Sequence, residues 1–310
     1  MGTGCSWAAP RRRSGDKNEE GGVNPLADRL RTRVRALCDD FFPRDAGHPE
    51  VLARAADHLA ASFQTLGLSP RRQEWDAGGG RYANVIAEVG PATEDRIVIG
   101  AHYDTAGAQP GADDNASGVA GVLELAALLA ARPPSRRVEL VAYCLEEAPH
   151  CRTPQMGSAV HAASLRAEGV RVRLMMALEM IGYFRDAPGS QRYPLPGMGL
   201  VYPRRGHFIG VVGIFGQSRG LRAVVQAMRG ASPLPVRSLV ATRQVPGIER
   251  SDHMNYWNEG YDALMITDTA EFRNPNYHTA GDTPESLDYH RMAQVVLGVE
   301  AAVRRLADAP

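Results

Sequence analysis

Histidine and carboxylate side chains recur in five short polar runs of this chain, and these side chains are common zinc ligands. Taken singly, each run has a structural explanation, such as a capping turn or a solvated turn. Five runs in order, each close to the end of a predicted strand, favour a metal site. The runs contain His102 with Asp104, Asp114, Glu146 with Glu147, Glu179, and His278.

Local spacing suggests different tasks for these side chains. His102 and Asp104 are two residues apart, so in an extended segment they point the same way. We expect Asp104 to accept the second ring proton of His102 and fix its tautomer. Glu146 and Glu147 would point opposite ways, so one can bind a metal while the other serves as a general base for hydrolysis. Asp114 lies at a predicted helix entrance, where a carboxylate is favoured and could bridge two metals.

Apolar patterning predicts the elements that position these runs. Short β-branched runs alternate with helical stretches from Tyr82 onward, which predicts an open, largely parallel sheet with helices on both faces. In such a sheet, ligands bind at the carboxyl ends of the strands. The predicted strands are Tyr82–Ala87, Arg96–Ala101, Val138–Tyr143, Val172–Leu178, Phe208–Ile214, Val236–Val240 and Ala263–Thr267. The predicted helices begin at Pro25 and near Pro49, and continue with Ala116–Ala131, Gln155–Ala167, Ser218–Arg229 and Pro284–Leu306.

The domain organisation expected from this pattern is simple. Residues 24–310 form one α/β/α domain with a central mixed, mostly parallel sheet, and residues 1–23 form a disordered leader. No secretory signal is recognised near the N-terminus, so we expect a cytoplasmic location, with export left open. No apolar run is long enough for a membrane span. The stretch Arg185–Gly206 is predicted to be a long loop, and such loops are often functional.

Composition excludes several classes of function. The 35 basic and 35 acidic residues cancel, which gives no general attraction for nucleic acid or anionic membranes. Lys17 is the only lysine and precedes Asn18, so neither a phosphate-binding loop nor Schiff-base chemistry is expected. The four cysteines form no Cys-x-x-Cys pair, and free thiols are expected, Cys144 and Cys151 included.

The motifs together resemble the zinc exopeptidase family M28, a group of co-catalytic metallopeptidases. The resemblance implies the zinc-exopeptidase fold and a peptide or aminoacyl substrate. The related M20 family has a similar ligand order, but its inserted dimerisation domain is less compatible with residues 179–278. The matching runs are Gly-Ala-His-Tyr-Asp (100–104), Gly-Ala-Asp-Asp-Asn-Ala-Ser-Gly (111–118), Glu-Glu (146–147), Leu-Glu-Met-Ile-Gly (178–182), Ser-Asp-His (251–253) and Tyr-His-Thr-Ala-Gly-Asp-Thr (277–283).

The resemblance also implies a role for each residue. Two zinc ions are expected, one held by His102 and Glu179, the other by Glu147 and His278, with Asp114 bridging them. Glu146 would be the general base, Tyr277 would hydrogen-bond the tetrahedral intermediate, and Asp104 would support His102. The peptide bond before the bridging aspartate, Asp113–Asp114, is expected to be cis.

Three interpretations remain open at this stage. Besides an aminopeptidase, the chain could be a glutaminyl-cyclase-like relative with one zinc ion, or an M28-like domain that only binds. The preferred amino-terminal residue, the oligomeric state and the role of Ser251-Asp252-His253 are not determined by the sequence. The remaining histidines are expected to lie at the surface or to be structural, namely His48, His58, His150, His161, His207 and His290.

Overall fold

Eight strands form one mixed sheet in the computed structural model of the protein, which describes residues 24–309. The strands are β1 (Arg71–Ala77), β2 (Gly80–Val89), β3 (Asp95–His102), β4 (Arg137–Tyr143), β5 (Arg171–Glu179), β6 (Ile209–Ile214), β7 (Val236–Ala241) and β8 (Ala263–Thr267). Their order across the sheet is β1-β2-β4-β3-β5-β8-β6-β7. The four central strands β4, β3, β5 and β8 are mutually parallel, so their carboxyl ends meet at one edge.

Helices cover both faces of this sheet. The helices are α1 (Pro25–Asp40), α2 (Pro49–Thr65), α3 (Gly118–Ala131), α4 (Gly157–Ala167), α5 (Leu221–Ala231), α6 (His253–Asn258) and α7 (Tyr289–Asp308). Apolar residues of α1, α2, α3, α5 and α7 form one core with the sheet. Those of α4 and α6 form a second core on the opposite face. The predicted three-layer α/β/α arrangement is therefore confirmed.

Two elements were missed by the sequence pattern. Strand β1 is mostly polar and pairs only with β2, antiparallel, at the edge of the sheet. An edge strand exposed on both faces has no apolar alternation to reveal it. Helix α6 spans only six residues, too few for helical periodicity to appear. The predicted long loop is confirmed, and its two ends are tied by the Arg185 N–H, which donates to the Gly206 carbonyl at 2.8 Å.

Two further expectations concern the ends and the thiols of the chain. Cys38, Cys144 and Cys151 are free, as predicted. The predicted leader (residues 1–23), Lys17 and Cys5 lie outside the described residues.

One helical segment of the described residues, Ala112–Ala131, has the length and hydropathy of a membrane span. Its most apolar window is 78% buried inside the protein. A core helix passes the same test, and α3 occupies that position between the sheet and α7.

A buried arginine joins α1 to the two segments that lead into the strand-end residues. Arg44 is fully buried and donates to the carbonyl oxygens of Leu37 at 2.7 Å, Tyr103 at 2.9 Å and Gly111 at 3.1 Å. Burial lowers the pKa of this guanidinium. Gly111 has φ of 60°, and a Cβ there would lie 2.4 Å from the Asp114 carbonyl oxygen, so only glycine fits this approach.

We predict that Arg44→Met lowers the free energy of unfolding by about 3 kcal/mol or more, because three buried carbonyl groups lose their donor. Urea unfolding followed by circular dichroism measures the change. Arg222→Gln, at an exposed position of α5, serves as the control and should change stability by less than about 0.5 kcal/mol. Equal stabilities of the two variants would contradict this role for Arg44.

Candidate metal centre

The parallel strands bring the predicted ligands to one edge of the sheet. His102 is the last residue of β3 and Glu179 is the last residue of β5. Glu147 follows β4, and His278 lies in the segment after β8. Asp114 sits in the irregular turn at 112–117, immediately before α3. The five side chains are thus supplied by five different segments that converge at the carboxyl ends of adjacent strands.

Three of these side chains form a first buried group. The His102 Nε2 atom lies 3.3 Å from Asp114 Oδ1 and 3.4 Å from Glu179 Oε2. All three residues are buried, and their ligand atoms lie within 4.8 Å of one another. His102 Nε2 has no hydrogen-bond partner among the described residues, although it is fully enclosed. An enclosed ring nitrogen facing two carboxylates suits a divalent cation that accepts nitrogen and oxygen ligands.

A second group shares the same aspartate. The His278 Nε2 atom lies 3.0 Å from Asp114 Oδ2 and 3.0 Å from Glu147 Oε1. Asp114 therefore turns one carboxylate oxygen toward each histidine. The two groups together contain all five side chains expected to bind metal, and the donor set of each suits zinc.

Glu146 belongs to neither group, although it is buried beside them. Burial raises the pKa of Glu146 well above its usual value, and the neighbouring His102 works in the opposite direction. Burial also raises the pKa of Glu147, to about 7, with a further contribution from Asp114. The two adjacent glutamates therefore have different surroundings: Glu147 contacts His278, and Glu146 lies outside both ligand groups.

The pKa values of the histidines show what the crowded carboxylates require. Burial alone would lower the pKa of His278, but its contacts with Asp114 and Glu147 raise it to about 10. Burial also acts to lower the pKa of His102, but Glu179, Asp104 and Asp114 together raise it well above its usual value. The buried carboxylates are therefore stabilised by added positive charge. This charge is supplied either by protons on the histidines or by a divalent cation that displaces those protons.

Asp104 supports the centre in a different way from the one expected. The His102 Nδ1 atom lies 3.2 Å from the backbone carbonyl oxygen of Asp104 and 3.6 Å from its carboxylate. The carboxylate instead accepts the backbone N–H groups of Glu146 at 3.1 Å and Glu147 at 3.0 Å. Asp104 thus orients the ring through its main chain and holds the Glu-Glu turn through its side chain.

Tyr277 lies against the second group. Its ring stacks on His278 with centroids 3.8 Å apart. Burial, together with the nearby carboxylates, raises the pKa of Tyr277 well above its usual value. The phenol therefore stays protonated and can donate a hydrogen bond into the centre.

The Ser251-Asp252-His253 run contributes one direct contact. Ser251 Oγ donates to Glu179 Oε2 at 2.8 Å, and Asn115 Nδ2 lies 3.3 Å from the same oxygen. His253 begins α6, where its Nε2 donates to the Ile248 carbonyl and its ring packs edge-on against Trp257. The serine therefore orients a predicted ligand, whereas the histidine has a packing role.

A carboxylate that the sequence reasoning left without a role fixes the backbone at Asp114. Asp282 is buried and accepts the N–H groups of Asp113 at 2.9 Å and Asp114 at 3.0 Å. It lies four residues after His278 in one of the quoted runs, but its spacing alone gave no sign of this contact. The expected cis bond is wrong by one residue, because the cis peptide joins Asp114 to Asn115 and Asp113–Asp114 is not cis.

Strained backbone surrounds the centre. Leu145, Met180 and His278 have φ of 64°, 50° and 56°, a region that non-glycine residues rarely adopt. Leu145 precedes Glu146, and Met180 follows Glu179. Residues held in this conformation cost about 1 kcal/mol or more and cluster at active sites.

Known proteins resemble this chain in sequence. The chain is 48% identical over 280 residues to the uncharacterized protein YfbL of Escherichia coli (strain K12), covering 88% of this chain and 86% of that protein. It is 26% identical over 232 residues to a probable leucine aminopeptidase of Trichophyton verrucosum (strain HKI 0517), covering 69% of this chain. The chain spans only 55% of that fungal relative.

Solved structures share the fold. A zinc aminopeptidase from Bacillus subtilis superposes with a TM-score of 0.74 at 16% identity, over 94% of this chain and 97% of that one. A glutaminyl cyclase from Bacteroides thetaiotaomicron superposes with a TM-score of 0.68 at 18% identity, over 90% and 97%. The model of Peptidase family M28 matches residues 84–303, which include every residue of the two ligand groups. The chain therefore belongs to peptidase family M28.

Proposed function

We propose that the protein is a zinc-dependent aminopeptidase that binds two zinc ions and hydrolyses the amino-terminal peptide bond of its substrates. The observation that carries this proposal is the position of Asp114 between two ligand groups, with Glu146 beside them and free of both. Family membership and the aminopeptidases among the similar proteins support the class of reaction.

The ligand groups, Glu146 and Tyr277 have separate roles in the proposed reaction. Zinc in the two groups would lower the pKa of a water molecule and polarise the scissile carbonyl. Glu146 accepts a proton from the attacking water and delivers it to the departing amine. Tyr277 donates to the substrate oxygen as negative charge develops there.

The two alternatives receive less support. A glutaminyl-cyclase-like enzyme with one zinc ion would need only one ligand group, whereas Asp114 presents an oxygen to each of two. A domain that only binds would not need a buried glutamate outside the ligand set. Cyclisation of amino-terminal glutamine, without release of free amino acids, would favour the first alternative over our proposal.

Metal content tests the two-zinc arrangement. Zinc titration of the metal-free protein, measured by mass spectrometry of the bound metal, should give about two ions per chain. His278→Ala should retain about one ion, because His102, Asp114 and Glu179 still form a complete group. Asp114→Ala should bind less than about one ion, because both groups lose a ligand. A wild-type value of one would contradict the two-zinc arrangement.

Replacement of the Glu146 carboxylate tests its role as general base. Glu146→Gln should bind as much zinc as the wild type but lower kcat by about 10² to 10⁴, because no carboxylate remains to move the proton. Hydrolysis of aminoacyl anilides, with zinc content measured on the same samples, tests this. Glu168→Gln, at an exposed position after α4, is the matched control and should leave kcat unchanged. Near-normal turnover by zinc-loaded Glu146→Gln would refute this role.

A further inference from the structure

The long loop between Arg185 and Gly206 contains an exposed apolar turn, residues 195–201, which we call the loop tip. Six large apolar side chains are exposed among the described residues, and three of them belong to the loop tip, namely Leu195, Leu200 and Val201. Leu200 is 91% exposed and Val201 is 83% exposed. Single exposed apolar side chains are ordinary, whereas several together mark a surface that meets a partner.

Hydrogen bonds give the loop tip a defined conformation. The Leu200 N–H donates to the Gly197 carbonyl at 2.9 Å, and the Tyr202 N–H donates to the Met198 carbonyl at 2.8 Å. At the base of the tip, the rings of Tyr193 and Tyr202 have their centroids 5.8 Å apart. Met198 lines an apolar cavity beside the metal centre, whereas Leu200 projects into solvent. The loop tip is therefore a fixed protrusion next to the site of hydrolysis.

The charged side chains of the surrounding loop are all basic. Residues 187–207 contain Arg192, Arg204 and Arg205 and no aspartate or glutamate. Within residues 24–309 none of these three arginines has a carboxylate partner, and the side chain of Arg192 donates to the backbone carbonyl of Glu271. The carboxylate of Glu271 is already paired with Arg250. The loop therefore carries three positive charges that no carboxylate neutralises.

Two further contacts bring positive charge close to the loop tip. A Cβ built at Gly199, inside the tip, would lie 3.8 Å from the Cγ atom of Arg204. Arg237 belongs to β7, the strand that holds the loop, because the Tyr202 hydroxyl donates to the Ser238 carbonyl at 3.1 Å. Arg237 also has no carboxylate partner in the described part of the chain. Apolar and basic groups are thus combined on one protrusion.

The charge of this loop argues against a second copy of the chain as the partner. A symmetric dimer brings the same patch of both subunits together, so four arginines would face four arginines across the interface. A folded protein partner would need an acidic groove shaped to receive the protruding tip. An anionic membrane needs no groove, because its acyl chains accept apolar side chains and its headgroups attract arginines.

We propose that the loop tip binds the surface of an anionic phospholipid membrane. Its apolar side chains enter the boundary between headgroups and acyl chains, and the arginines around it contact the headgroup phosphates. The net charge of zero gives the whole chain no general attraction for such membranes, so binding depends on this local cluster. Since the same loop lines the cavity beside the metal centre, the bound protein holds its site of hydrolysis at the membrane surface.

Sedimentation of the full-length chain with lipid vesicles tests the proposal without depending on hydrolysis. The chain should bind vesicles of phosphatidylcholine with about 30% phosphatidylglycerol, and it should bind vesicles of phosphatidylcholine alone at least about 10-fold more weakly. Each basic residue near an anionic surface contributes a factor of about 5 in affinity, so several such residues exceed this limit. Absence of binding to the anionic vesicles, or equal binding to both kinds, would overturn the proposal.

Paired variants separate the apolar contribution from the basic one. Leu200→Ser combined with Val201→Ser should weaken binding to the anionic vesicles at least about 10-fold, because less apolar surface enters the membrane. Arg204→Gln combined with Arg205→Gln should weaken it by about 10- to 30-fold. All four side chains are exposed, so both variants should keep the fold, which circular dichroism verifies.

Matched controls remove side chains of the same types elsewhere. Phe215 is 68% exposed and follows the end of β6 at the opposite edge of the sheet, and Arg166 and Arg222 are exposed on α4 and α5. Phe215→Ser, and Arg166→Gln combined with Arg222→Gln, should bind the anionic vesicles as the wild type does. Binding that survives both tip variants would place the interaction elsewhere, for example at Arg11-Arg12-Arg13, and would overturn the proposal.

Insertion of the loop tip is observable directly by fluorescence. In Leu200→Trp the added tryptophan emission should shift to shorter wavelength with anionic vesicles and be quenched by brominated lipid, after subtraction of the wild-type signal. Phe215→Trp should show neither change. Unshifted emission from Leu200→Trp would overturn the proposal. A lipid-free dimer, measured by light scattering, that Leu200→Ser with Val201→Ser dissociates would also overturn it, in favour of a second copy as the partner.

Discussion

The rest of this structure is organised around the crowding of buried negative charge at the carboxyl edge of the central strands. Asp114, Glu146, Glu147 and Glu179 all lie within the protein, with only two histidines among them to offer compensating charge. Such a cluster is tolerable when protons or divalent cations neutralise it. The raised pKa values of both histidines and the shared position of Asp114 are consequences of this single constraint. The formal net charge of zero conceals it, because the excess is local.

Several buried side chains support the cluster through hydrogen bonds to the backbone near the ligands. Asp104 holds the turn that carries Glu146 and Glu147, and Asp282 holds the backbone at Asp114. Arg44 ties the end of α1 to both approaches to the centre. These are buried hydrogen bonds of charged groups, which are costly to break, so they restrain the backbone that carries the ligands.

The same edge of the sheet brings together the two ligand groups and an apolar cavity. The metal centre occupies the ends of the parallel strands, where polar residues can project without breaking the core. An apolar cavity adjoins the metal centre. The reversed strand β6, whose first residues lie against the end of β8, contributes to its lining. Gly210 of β6 and Tyr193, Met198 and Tyr202 of the long loop line this cavity.

The sequence by itself determined the fold class, the seven strands with buried faces and the five side chains of the two ligand groups. Those features are local, since apolar periodicity and short polar runs persist whatever the chain does elsewhere. Strand β1 and the short helix α6 were not predicted, because an exposed edge strand and a six-residue helix have no usable periodicity. Only the tertiary structure decided that the Asp104 carboxylate accepts the N–H groups of the Glu-Glu turn while its backbone carbonyl makes the shorter contact with His102, and that Asp282 fixes the backbone at Asp114. It also decided that Gly210 lies between Arg237 and Thr267. These contacts join residues distant in sequence, and strand order and register, which no local pattern encodes, determine which of them meet.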